Sequence, residues 1–309
     1  MEKNGRKIKV IIIIFNILLS IGILYFSYNE YNNYKNYKVN VKNITSDLNK
    51  IDEVNNTLKQ NVDTKKEELE KYNDIDKLIN DEKTNVFKLA SEVEQKIRNH
   101  ESDKKIVYLT FDDGPYYNTY NVLKILKDNQ VKATFFTTNV NGEYCFDDSA
   151  HNCHEVYKEI AKAHHTIANH TYTHGWNRGL YSSASSFIDA VLKQEELIKN
   201  YTGITTNIVR FPGGSSTAGS RKSSIIEELK KHNYGWVDWT AEDGDGGYLA
   251  TYNQGWNKLV NSVTDNIEVV LLHDYHPITT QILPEFIKYL EDKNYVILPL
   301  FYESVMINK

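Results

Sequence analysis

Every proline and every tryptophan in this chain lies beyond residue 113, and that one-sided punctuation splits it into two segments that must fold by different rules. Pro115, Pro212, Pro277, Pro284 and Pro299 all fall in the second segment, with 13 of the 15 glycines and nine of the ten histidines. Between Ile23 and Asp113 there is neither a glycine nor a proline. That stretch has one repetitive character and no punctuation. Turns, and the sites that turns build, are confined to the second segment. The change in composition places the boundary near residue 103.

The totals exclude several classes. With 12% aromatic residues the chain of 309 residues has too much to bury for a wholly disordered protein. A single long apolar run rules out a polytopic membrane protein. A net charge of −5 argues against a nucleic-acid binder, which would carry a basic stripe. Two cysteines are too few for a disulfide-built scaffold.

Lys3, Arg6, Lys7 and Lys9 precede an apolar run from Val10 to Phe26. As a helix this run reaches roughly 26 Å, near the lower limit for a bilayer. Tyr25, Tyr28 and Tyr31 stand where an interfacial aromatic belt would be. No small-x-small cleavage site follows, so residues 1–30 are expected to be an uncleaved anchor rather than a removed signal peptide. The basic flank would stay cytoplasmic and the rest of the chain outside, a single-pass protein of the cell membrane.

Residues 31–103 are expected to form a helical stalk. Val41, Leu48, Val62, Leu69, Ala90 and Ile97 fall on one seven-residue lattice, and Ile44, Ile51, Leu58, Tyr72, Ile79, Val86 and Val93 on a second. Thirteen of the 17 lattice positions are apolar, where chance gives about seven, which favours a coiled coil. Its partner is a second copy, making a homodimer, or another part of the same chain. Asp76 and Lys83 weaken the lattice, so a break is expected near residue 75.

From residue 104 the periodicity changes. Strands are expected over 106–111, 133–137, 207–211, 234–239, 268–273 and 295–299, with helices over 119–129, 154–163, 184–200, 223–232, 255–265 and 280–291. Such alternation predicts an α/β fold with parallel strands, whose active groups gather beyond the carboxyl ends of the strands. Polar clusters stand at those ends. Asp112 and Asp113 close the first strand, and adjacent carboxylates there need a cation and a basic partner. His170 and His174 are spaced i, i+4, which on a helical turn aims both rings at one metal. One carboxylate and two imidazoles suit zinc or a similar divalent metal with open positions for water. Arg210 precedes Phe211-Pro212-Gly213-Gly214 and could orient an aspartate. His273 closes an apolar strand, a position suited to a general acid.

Taken in order, Thr110-Phe111-Asp112-Asp113-Gly114-Pro115, His170-Thr171-Tyr172-Thr173-His174, Arg210-Phe211-Pro212-Gly213-Gly214, Asp238-Trp239 and Leu271-Leu272-His273-Asp274 resemble the motifs of the NodB-homology polysaccharide deacetylases, carbohydrate esterase family 4. The resemblance covers residues 104–309. It is strongest to membrane-anchored peptidoglycan N-acetylglucosamine deacetylases. It implies a distorted (β/α)7 barrel and one divalent ion, zinc first, with cobalt, nickel or manganese as alternatives. Asp113, His170 and His174 would be its ligands. Asp112 would be the catalytic base, held by Arg210, and His273 the general acid. Either Asp238 or Asp245 would tune His273. Gly213 would supply an oxyanion N–H where many members carry Tyr, and Trp239, Tyr116 and Leu271 would line the substrate site. The implied reaction removes N-acetyl groups from cell-wall polysaccharide. Exopolysaccharide, chitin oligomers and acetylated xylan are alternative substrates of the same centre, and an idle sugar-binding scaffold is the alternative without catalysis.

Cys145 and Cys153 admit two readings. A disulfide suits the expected extracellular compartment and would add about 2–3 kcal/mol. A second metal site would use both thiols with His151 or His154.

Overall fold

A computed structural model describes residues 2–175, 179–247 and 251–309, with side chains at all of these except 2–15 and 67–85. Its first element is an uninterrupted helix, α1 (Glu2–Arg98). The expected break near residue 75 is absent, because a polar residue on the lattice removes packing and leaves the backbone hydrogen bonds intact. Within α1 the chain divides into two compact units, Met1–Asp76 and Lys77–Lys309.

In the first unit the described lattice residues, from Val41 (43% exposed) to Val62 (51% exposed), lie in solvent. Leu69, Tyr72 and Ile79 lie outside the described side chains, as do residues 10–15 of the expected membrane span. Among the described residues no helix is long and apolar enough to cross a membrane.

The second unit takes in the last turns of α1, upstream of the change in composition at residue 103. Ala90 and Glu94 are buried, and Val93 and Ile97 pack on the same cluster as Ile106 and Tyr108. The Glu94 carboxylate accepts from the Tyr108 hydroxyl at 2.7 Å and the Val305 N–H at 2.6 Å. These bonds satisfy a buried acid and tie the helix end to the first strand.

After α1 the elements are β1 (Lys105–Asp112), α2 (Thr119–Asp128), β2 (Thr134–Thr137), α3 (Cys153–Lys162), β3 (Thr166–Asn169), α4 (Ala184–Thr202) and β4 (Ile208–Val209). A 3-10 segment (Ser215–Arg221) leads to α5 (Lys222–Lys231), β5 (Gly235–Trp236) and β6 (Ala241–Glu242), followed by α6 (Tyr252–Ser262), β7 (Ile267–His273), α7 (Pro277–Asp292) and β8 (Tyr295–Ile297). The strands pair in parallel in the order β5-β4-β3-β2-β1-β7-β6, and β8 pairs with the start of β1. Seven strands lie side by side with β8 off that path, which is consistent with the implied (β/α)7 barrel. Among the described residues nothing pairs β5 with β6, so the sheet is a curled half-barrel open at that side. β3 and β6 are the two strands that the expected set lacks.

Alternation along β1 sorts its side chains. Val107, Leu109 and Phe111 pack outward against Val122, Leu126 and Phe286 of the helices. Ile106 and Tyr108 face the barrel interior with Phe136, Ala168 and Val269. Period two then puts Thr110 and Asp112 on the interior face as well. Cys145 and Cys153 are joined in a disulfide, and no cysteine is left for a second metal site.

Candidate active site

Parallel strands deliver their last residues to one edge. Asp112 ends β1 and His273 ends β7, and the register sets the two directly opposite each other. His170 follows β3, Arg210 follows β4, and Asp245 lies three residues beyond β6. Residues far apart in sequence therefore meet at the carboxyl edge of the sheet.

Asp113 Oδ1 lies 3.0 Å from His174 Nε2 and 3.4 Å from His170 Nε2. The pair is not on a helical turn, which corrects the i, i+4 expectation. Thr171 (φ 64°) and His174 (φ 45°) adopt left-handed conformations, and this tight turn swings the second ring back beside the first. A β-branched residue there stores strain of about 1–3 kcal/mol. The turn is held by the Thr171 N–H on Asn169 Oδ1 at 2.9 Å and the Tyr172 N–H on the Ala190 carbonyl at 3.0 Å. Asp113 also has positive φ (70°), which an aspartate tolerates. Gly114 follows it because a Cβ there would lie 2.3 Å from Asp274 Oδ2.

These three residues fit a metal. Their ligand atoms all lie within 4.8 Å of one another. Asp113 Oδ1 is buried without a hydrogen-bond partner, although it faces two imidazole nitrogens. His170 Nδ1–H donates to the Arg210 carbonyl at 2.9 Å, which leaves Nε2 as a lone pair directed at the cluster. Burial alone would raise the Asp113 carboxyl, but His170, His174 and His273 hold it well below the usual carboxylate range. Burial and the neighbouring His170 push the His174 imidazole down to about 4. A neutral imidazole and an ionised carboxylate are the forms that bind a cation.

Asp112 is almost fully buried beside Arg210, which is itself wholly buried. Arg210 Nη1 donates to Asp112 Oδ1 at 2.9 Å and to Thr110 Oγ1 at 2.7 Å. Its Nε and Nη2 donate to the carbonyls of Val237 and Asp238 at 3.2 and 3.3 Å. The guanidinium lies 4.2 Å from the Phe136 ring centre. Asp112 Oδ2 faces the cluster, 3.6 Å from His170 Nε2.

His273 Nδ1 donates to Asp245 Oδ1 at 2.6 Å, and the His273 N–H to Asp245 Oδ2 at 2.7 Å. Nε2 points inward, 3.7 Å from Asp113 Oδ2. Burial would depress this imidazole, but the Asp245 hydrogen bond and the charges of Asp245, Asp113 and Asp112 push it up to about 10. Asp245 keeps its charge against burial because His273 donates to it. Of the two aspartates expected beside His273, Asp245 is therefore the one in contact. Asp238 instead accepts from the Ser215 N–H (2.9 Å) and hydroxyl (2.5 Å), pinning the turn that carries Gly213.

Trp239 packs its ring over Gly214, where a Cβ would lie 3.2 Å from it, and donates its indole N–H to Glu242 at 3.2 Å. Leu271 shares the interior face of β7 with His273, two residues on. Tyr116 sits at the rim, 5.2 Å between ring centres from Tyr275, which in turn lies 5.2 Å from the His273 ring. Tyr275 is a site residue that motif reading misses, and its place directly after the last motif is the signal that could have found it. Thr279, whose hydroxyl lies 2.6 Å from Asp245 Oδ2 and 2.8 Å from Asp243 Oδ2, carries no local signal at all.

A carboxylate and two imidazoles able to hold a cation, beside a second carboxylate and a charged imidazole, make an enzyme of the hydrolytic class rather than a binding module. The family model described as polysaccharide deacetylase matches residues 99–235. The peptidoglycan-N-acetylglucosamine deacetylase of Bacillus cereus is 30% identical over 224 residues, covering 68% of this chain and 77% of that protein. The chitin deacetylase of Colletotrichum lindemuthianum is 29% identical over 193 residues, 62% of this chain and 75% of that one. Among solved structures, the catalytic domain of the Eubacterium rectale peptidoglycan N-acetylglucosamine deacetylase superposes with a TM-score of 0.60 at 30% identity, covering 67% of this chain and 93% of that domain. The chain belongs to the polysaccharide deacetylase family.

Proposed function

We propose that the protein hydrolyses the N-acetyl amide of N-acetylglucosamine in peptidoglycan. The observation that carries this reading is the convergence of Asp113, His170 and His174 with Asp112 on one side and His273 on the other. The names of the Bacillus cereus and Eubacterium rectale relatives support the substrate. The same reading makes residues 1–30 a membrane anchor and residues 31–76 a spacer that pairs with a second copy along its lattice, holding the enzyme against the wall.

Asp113, His170 and His174 would hold one divalent ion, zinc or a similar metal, which when bound polarises the acetyl carbonyl and acidifies water. Asp112 accepts the proton of the attacking water on Oδ2, while Arg210 keeps Oδ1 occupied and the carboxylate aimed. The Gly213 N–H donates to the oxyanion of the tetrahedral intermediate. His273 donates its Nε2 proton to the departing nitrogen, because an unprotonated amine leaves poorly. Asp245 holds Nδ1 and so fixes which nitrogen acts. Acetate and a free glucosamine unit result.

Two measurements test this. Purified full-length protein should release acetate from peptidoglycan faster than from chitin hexamer or acetylated xylan, and a chelator should stop it. A faster reaction on xylan, or binding without acetate release from any of the three, rejects the proposal. Asp245→Asn should move the alkaline limb of the kcat/KM profile to lower pH. The acid works protonated, so activity is lost as pH rises through its pKa, and removing the carboxylate lowers that pKa from its raised value of about 10. An unmoved limb would separate Asp245 from the acid.

A further inference from the structure

We propose that the disulfide-clasped loop between β2 and α3 is a second sugar-binding surface, stacking a pyranose ring of the polysaccharide beyond the unit being deacetylated. The proposal rests on the polysaccharide reading above. From Lys105 onward, six large apolar side chains are exposed among the described residues: Tyr117, Tyr120, Val140, Tyr144, Phe146 and Leu192. All but Leu192 belong to this loop or to the segment it docks on. Phe146 is 88% exposed and Tyr144 59% exposed, and clustered exposed apolar side chains mark interaction surfaces.

The backbone that carries these rings is anchored. Both neighbours of Phe146 are tied down. Cys145 is bonded to Cys153, and Tyr144 bridges to Asn152. Asp147 accepts from the N–H groups of Tyr117 and Asn118, both at 2.8 Å. Asn141 Nδ2 donates to the Pro115 carbonyl at 2.8 Å. Tyr117 stacks on His151 with ring centres 4.1 Å apart. With the backbone already ordered, binding costs only the ordering of the side chains.

Position and charge choose the occupant. The loop leaves the carboxyl end of β2 beside that of β1, the edge that carries Asp112 and Asp113. It is anchored on Pro115, two residues beyond Asp113. The root of the loop thus lies beside the site. Its carboxylates are used internally, Asp147 on backbone N–H groups and Asp148 on His151 at 3.0 Å. Glu143, the third carboxylate of the loop, accepts from Asn152 Nδ2 at 3.2 Å, and beside these paired acids the exposed Tyr144 and Phe146 rings offer a face that suits the C–H side of a neutral sugar.

The test compares oligomers of different length. In full-length Tyr144→Ala/Phe146→Ala, the KM for N-acetylglucosamine hexamer should rise about tenfold with kcat held, while the dimer, too short to reach the loop, is unaffected. Phe146→Trp should keep the parent KM. Hexamer titrated into Asp112→Asn chains with and without the two loop substitutions should show the same affinity loss. Unchanged hexamer affinity, an equal loss on the dimer, or a change only in self-association by sedimentation overturns the proposal. If the parent protein released no acetate from either oligomer, the deacetylase reading would fail, and the hexamer titration would still decide the loop.

Discussion

Asp112→Asn should hold its metal as tightly as the parent chain and turn over about 10²–10⁴-fold more slowly, the range general-base catalysis contributes. Asparagine keeps an oxygen to accept from Arg210 Nη1, now 2.9 Å from Asp112 Oδ1. It cannot take a proton from water on the side facing His170. The three proposed ligands are untouched, so calorimetric titration with zinc should be unchanged while acetate release collapses. Unchanged turnover would remove Asp112 from the chemistry. Lost metal with lost turnover would make it a ligand instead.

Arg210→Met should destabilise the protein by about 3–5 kcal/mol, because it strands the buried Asp112 carboxylate without its partner. For a unit of this size that corresponds to a fall in Tm of about 6–20 °C. Methionine also leaves the Thr110 hydroxyl and the Val237 and Asp238 carbonyls without the guanidinium that now donates to them. Asp112→Leu combined with Arg210→Met should recover part of the stability but none of the activity, since the pair is removed together and the base is gone. A double variant no more stable than Arg210→Met alone would mean that the stranded charge is not the cause.

The ordered strand-end motifs make most of the site legible from the amino-acid order. Asp112 and Asp113 are written at the end of an apolar run, and so is His273. Parallel strands carry such ends to a common edge whatever their distance in sequence. The pairing of His170 with His174 is legible as a spacing but not as a geometry. It depends on positive φ at Thr171 and His174, a property of the turn rather than of helical periodicity. Glu94 is invisible for another reason. It sits beside the lattice residue Val93, off the apolar lattice of the expected stalk, and only packing on Tyr108 and Val305 shows it to be buried.

Sequence alone therefore determined the α/β class and the chemical types in the site, because both are written in local periodicity and strand-end composition. Which aspartate serves His273 was decided only by tertiary structure. Asp238 and Asp245 stand in one acidic run, yet β5 pairs with β4 and β6 pairs with β7. The chain crosses from one free end of the sheet to the other between them, leaving Asp238 beside Arg210 and delivering Asp245 to His273. Strand pairing is a long-range choice, and no window of sequence contains both partners.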